Sequence, residues 1–262
     1  MKLLFLIFLF VIVLIPIQNI FANSEPILIT QSSYMEDIIF DGKWTNLEWK
    51  HSSHNWFTYD ENTSIHLRTA HQGDHIYVFV DPVHDLTLDK LNDEATICFD
   101  AKNEKHITYD ENDYCFSVLL DSDTGNIFQG TKLDDSSSIM KEINNVEDFI
   151  AISSVSDEDD RYSKIPHPSY EFKIPIELFE RSDNYGFYLS VYDASLEKFY
   201  SWPYNATREN SQIPSPSTWG DMISPDKSLP EMNIPIMIFV ILLITIIVIQ
   251  FKTKLPLFKT KI

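Results

Sequence analysis

Glycine is scarce in this chain, with six in 262 residues. No glycine-rich phosphate loop is present, and neither is G-x-S-x-G or H-E-x-x-H. Nucleotide-dependent, serine-hydrolase and zincin chemistries therefore lose their usual signatures. Cysteine is almost absent, at two residues, and no C-x-x-C-H occurs. That excludes c-type haem attachment. Basic residues are also in short supply, 20 against 39 acidic ones. An excess of that sign argues against nucleic acid or anionic lipid as a partner. Internal repeats and long amphipathic helices are missing as well. A glycosidase needs two carboxylates at a set gap, but with this many acids a nearby pair carries no information. The region is read as non-catalytic.

Both ends of the chain are apolar. Lys2 precedes the run Leu3–Ile17, and Ala22 stands before polar residues. This reads as a secretory signal over 1–22, with a retained N-terminal anchor as the alternative. Residues 234–251 carry no charge and as a helix would extend roughly 27 Å, near the thickness of a bilayer core. Lys252, Lys254, Lys259 and Lys261 follow, which keeps the 252–262 tail cytoplasmic and the middle of the chain outside. Leu229-Pro230-Glu231-Met232 before this span resembles archaeal C-terminal sorting signals of the Pro-Glu-Phe type, with Met232 in place of Phe. That resemblance implies cleavage near Pro230 and transfer to a lipid; a permanent single span is the alternative. With Lys2 and the four tail lysines set aside, 15 basic residues face 39 acidic ones, so the exported part carries −24.

Between a short lead (23–33) and a linker (224–233) lies one domain, 34–223. Short runs of β-formers recur through it with turn signals between them, which predicts an all-β, two-sheet antiparallel sandwich of jelly-roll or immunoglobulin-like type. The stretch His75–Asp100 reads as a strand, an acidic turn and a second strand. Trp49 is assigned to the core. In an exported chain, Cys98 and Cys115 are expected to pair, closing a short loop at a gain of about 3 kcal/mol. Asn62 and Asn205 head glycosylation sequons.

Asp81, Asp85, Asp89 and Asp93 crowd one turn and offer the several hard oxygens that calcium requires. Asp121–Asn126 has oxygen ligands at alternate positions, but a hairpin turn explains it equally. His66, His71, His75 and His84 lie close in sequence without structural-zinc spacing.

Several segments, in order, resemble the family 9 carbohydrate-binding modules and the wider DOMON-like sandwiches. They are Ile39-Phe40-Asp41-Gly42 with Trp49, Ile76-Tyr77-Val78 with Val83-His84-Asp85, and Asn92-Asp93 with Cys98-Phe99-Asp100. Ile174-Pro175, Tyr192-Asp193 and Pro216 with Trp219-Gly220 complete the series. The resemblance spans 34–223. It implies a sandwich with structural calcium that binds sugar chain ends, in which two tryptophans hold the sugar ring, or else haem. No Trp stands between Trp56 and Trp202, so one plate is missing. Trp202 and Trp219 are the expected ligand-facing plates, and Tyr109 or Tyr114 would substitute for the missing one. Haem-binding members use an axial Met; Met35, Met140 and Met222 are present, but none is singled out by spacing. The expected partners are a glycan and, through 234–251, the membrane.

Overall fold

Alternation of apolar and polar residues builds fourteen strands in the computed structural model, which describes residues 25–225 except 46, 60–62, 84, 135–136 and 209–211. The strands are β1 (Ile27–Leu28), β2 (Thr30–Gln31), β3 (Ser53–Thr58), β4 (Ser64–Gln72), β5 (His75–Asp81), β6 (Glu94–Asp100) and β7 (Asp113–Leu119). They continue as β8 (Asn126–Lys132), β9 (Ser138–Ile143), β10 (Ile150–Val155), β11 (Pro168–Pro175), β12 (Asn184–Asp193), β13 (Lys198–Trp202) and β14 (Gly220–Ile223). The larger sheet runs β1-β14-β12-β6-β7-β8-β9, and β13 shares the β14 edge of β12. The smaller runs β10-β11-β5-β4-β2, with β3 also paired to β4. Two facing sheets bear out the all-β sandwich. One difference is that β1 and β2 pair parallel to β14 and β4, so the sheets are antiparallel only apart from these two-residue strands.

The core follows from strand parity. Ile76, Val78 and Val80 on β5 point inward, as do Ile65 and Leu67 on β4 and Tyr170, Phe172 and Ile174 on β11. They meet Ala95, Ile97 and Phe99 of β6 and Phe187, Leu189 and Val191 of β12. At about 25 cal/mol per Å² of apolar surface, these interdigitated side chains are the main stabilising term. His75–Asp100 is therefore no hairpin. β5 and β6 lie in different sheets, and the acidic turn carries the chain across one end of the sandwich.

Each sheet also carries a smaller apolar cluster on its outer face. On the smaller sheet, Met35, Ile38, Trp44 and Trp49 cover Tyr77 and Phe79. Glu171 of β11 pins this cover by accepting from the Trp49 indole N–H at 2.9 Å and the Gly42 amide at 2.8 Å. Trp49 is fully buried, as expected. On the larger sheet the outer cluster forms around Cys98 and Cys115, which are opposed in the β6–β7 ladder and joined by a disulfide. Asp121–Asn126 is the connection of the β7–β8 hairpin, with Asp121 paired to Lys90 at 3.0 Å.

Among the described residues no helix is long and apolar enough to cross a membrane. The signal segment 1–22, Asn62, His84 and the apolar span 234–251 lie outside the described residues.

Candidate functional site

A groove of about 590 Å³ opens on the outer face of the larger sheet. Odd and even positions divide strictly along strands, so the residues facing away from the core line it. β6 contributes Glu94 and Thr96, β7 Ser117, β8 Asn126 and Phe128, and β9 Met140. Tyr109 enters from the β6–β7 connection, and Arg208, Gln212 and Ile213 come from the segment between β13 and β14. The lining thus mixes apolar and aromatic side chains with polar ones.

Its polar groups are held in place. Thr96 Oγ1 donates to Glu94 Oε1 at 2.6 Å. The Arg208 guanidinium donates to Thr96 Oγ1 at 3.3 Å, lies 3.8 Å from Glu94 Oε1 and stacks 4.8 Å over the Phe199 ring. The Tyr109 hydroxyl donates to the Ile213 carbonyl, which fixes the loop against the sheet. Burial pushes the Tyr109 phenol up to about 12, so it stays protonated.

Of the four expected ligand-facing rings, Tyr109 alone lines the groove. Trp202 is 2% exposed and sits in the core, with Phe57 at 5.8 Å and Phe187 at 6.1 Å. Gly220 lies against its ring, where a Cβ would collide. Trp219 is 4% exposed, stacks on Tyr188 at 6.2 Å and donates its indole N–H to the Pro214 carbonyl at 2.9 Å. Tyr114 packs 5.7 Å from Phe179 between the sheets. The expectation of Trp202, Trp219 and Tyr114 as sugar plates is corrected by this packing, since none has a free face. Met35 and Met222 are also buried in the two apolar cores, while Met140 lines the groove.

The acidic turn is divided between two places. Asp85 and Asp93 meet Asp193 from the end of β12, and all three are buried. Asp85 Oδ1 accepts from the Thr87 amide at 3.1 Å, and Asp85 Oδ2 has no hydrogen-bond partner among the described residues. Burial first, then the Asp193 and Asp93 charges, push the Asp85 carboxyl up to about 7. Asp81 instead faces Asp160 and His167. Asp89 joins neither group through its carboxylate; its amide donates to Asp93 Oδ2 at 2.8 Å and its carbonyl accepts from the Asp93 amide at 2.9 Å. The four aspartates are therefore not one ligand set, because Asp81 ends a strand of one sheet and Asp93 precedes a strand of the other.

The histidines are likewise not gathered. His66 pairs with His54 across β3 and β4, Nδ1 to Nε2 at 3.0 Å, while His71 bonds Ser224 at 3.2 Å. Sequence reasoning missed Asp160, His167, Glu94 and Arg208. Asp160 was hidden in the run Asp157–Asp160, which looks like a solvated loop, yet its carboxylate folds inward.

Neither a protein-family model nor a curated protein matches the sequence. Among solved structures, the chain is similar to a family 9 carbohydrate-binding module from Caldicellulosiruptor kristjanssonii in complex with cellotriose. The identity is 14%, over 79% of this chain and 98% of that one, with a TM-score of 0.48. A structure titled as a module of the same family and organism, in complex with glucose, is 15% identical over 80% of this chain and 100% of that one, with a TM-score of 0.47. No residue role is carried over from them.

Proposed function

We propose that the protein is a non-catalytic glycan-binding module, exported, held at the cell surface by its C-terminal apolar segment, and accessory to polysaccharide breakdown. The observation that carries this reading is the groove of about 590 Å³, lined by the apolar Tyr109, Phe128 and Met140 together with the polar Glu94, Arg208, Asn126 and Gln212. A pyranose has an apolar C–H face that packs on aromatic surface, and its hydroxyls need partners once desolvated. Glu94 supplies acceptors, Arg208 donors, and the two amides both. The −24 charge of the exported part favours a neutral sugar over an acidic one.

Calcium is proposed as a structural ion at Asp85, Asp93 and Asp193. An all-oxygen set of three buried carboxylates, one with an orphaned oxygen, fits a hard cation. It would lock the β5–β6 connection to the end of β12. Asn205, which is exposed, is proposed as a glycosylation site together with Asn62.

Calorimetric titration of the full chain with neutral oligosaccharides, cello-oligosaccharides included, tests the site. Glu94→Gln and Phe128→Ala should each weaken binding about tenfold, which is about 1.4 kcal/mol, with Glu94→Gln as thermally stable as the unaltered chain. A sugar bound equally well by both variants would remove the groove from the account.

A further inference from the structure

The group Asp81, Asp160 and His167 lies on the other sheet, away from the groove, and is fully buried. Asp81 closes β5, His167 precedes β11, and Asp160 sits in the β10–β11 connection. His167 Nδ1 is 2.7 Å from the Ile165 carbonyl, which can only accept. Ser156 Oγ, which accepts from the His167 amide at 3.0 Å, is also 2.9 Å from Nδ1. With the Nδ1 proton directed at the Ile165 carbonyl, the neutral ring presents a lone pair at Nε2. Nε2 is 2.6 Å from Asp81 Oδ1, another acceptor. At that distance a proton lies between the two atoms in the ion-free chain, and an ion bound there would displace it.

A proton alone leaves Asp81 Oδ2 and Asp160 Oδ2 without hydrogen-bond partners among the described residues. Asp160 Oδ1 is already occupied by the Tyr162 and Ser163 amides at 2.7 and 2.9 Å. Arg68, also buried on this face, gives its donors to Tyr162 Oη at 2.6 Å and the Ser52 carbonyl at 3.1 Å. A divalent ion with a neutral imidazole gives both orphaned oxygens a positive partner, which a buried carboxylate requires.

We infer that Asp81, Asp160 and His167 form a structural site for a zinc-class divalent ion. The imidazole nitrogen distinguishes this site from the all-oxygen calcium set and selects a borderline metal over a hard one. The contact from Nδ1–H to a backbone carbonyl is the outer-shell support that metal-ligating histidines use. Bound there, the ion ties the β10–β11 connection to the end of β5.

The test uses the full chain, stripped with a chelator and then supplied with zinc chloride in the presence of excess calcium. One zinc per chain by elemental analysis, retained against calcium and accompanied by a higher unfolding temperature, is the expected result. His167→Gln and Asp160→Asn should each lose that zinc, while His66→Gln should keep it. If the variants fail to fold, cobalt(II) decides in the unaltered protein: a visible absorption band abolished by one equivalent of zinc supports the site. A stripped chain that takes up no zinc, or an Asp160→Asn variant that retains it fully, overturns the inference.

Discussion

Asp100 and Asp113 face each other directly across the β6–β7 ladder, and both are buried. Burial, aided by the neighbouring Asp100, Asp110 and Glu104, pushes the Asp113 carboxyl up to about 8, against an opposing hydrogen bond from the Asp110 amide. Its ordinary value is 3.8. Between these two values the folded chain holds a proton that the unfolded chain releases. The associated stability is complete below about pH 4 and is lost as pH rises toward about 8. Asp113→Asn should remove this slope. It should leave stability at pH 4 unchanged and raise it by about 1–2 kcal/mol at pH 8, since it eliminates an uncompensated buried charge. Urea unfolding across that range checks it, and an unaltered slope would contradict the assignment.

β13 shows why the site was harder to read than the fold. Its residues alternate, and alternation identifies a strand without saying which face is inside. Tyr200 and Trp202 point to the core, whereas the reading of Trp202 as a sugar plate required the opposite face. Trp202→Ala should cost about 3–5 kcal/mol as a core truncation, measured by denaturant unfolding, with a loss of stability far exceeding that of Phe128→Ala in the groove. The strong strands β4 to β8 and β10 to β13 were legible, because β-branched and aromatic residues recur there at period two. β3, β9 and β14 were not. Ser53-His54-Asn55 and Lys141-Glu142 are polar, and such strands are held by ladder bonds and by position. Ile38–Phe40 is a run of β-formers in the sequence, yet it follows a 3₁₀ turn in the cover over the smaller sheet.

For the whole molecule, composition predicted the sandwich and its disulfide, since many short strands with few glycines admit little else. It could not predict which acids converge. Asp85 meets Asp193, over a hundred positions away, because the β5–β6 crossover and the end of β12 share one pole of the sandwich. Calcium returned to the chelator-treated chain should raise its thermal midpoint by several degrees, and Asp85→Asn should abolish that response while leaving the zinc response of the other sheet intact. Differential scanning calorimetry separates the two ions by their variants.

The segment from Ile27 to Gln31 gives one strand to each sheet, β1 beside β14 and β2 beside β4. Ile27 finds its partner at Met222, almost the full domain away in sequence. The seam of the sandwich thus joins the first and last of the described strands. Everything between them can collapse earlier, but the open edge of β14 does not exist until the domain is nearly complete. Folding is therefore a closing-ring problem, with the slow, long-range step kept for the end. Until then β1 and the edge of β12 that β14 takes are unpaired, so the nascent chain is most exposed to foreign strands at the moment before it closes.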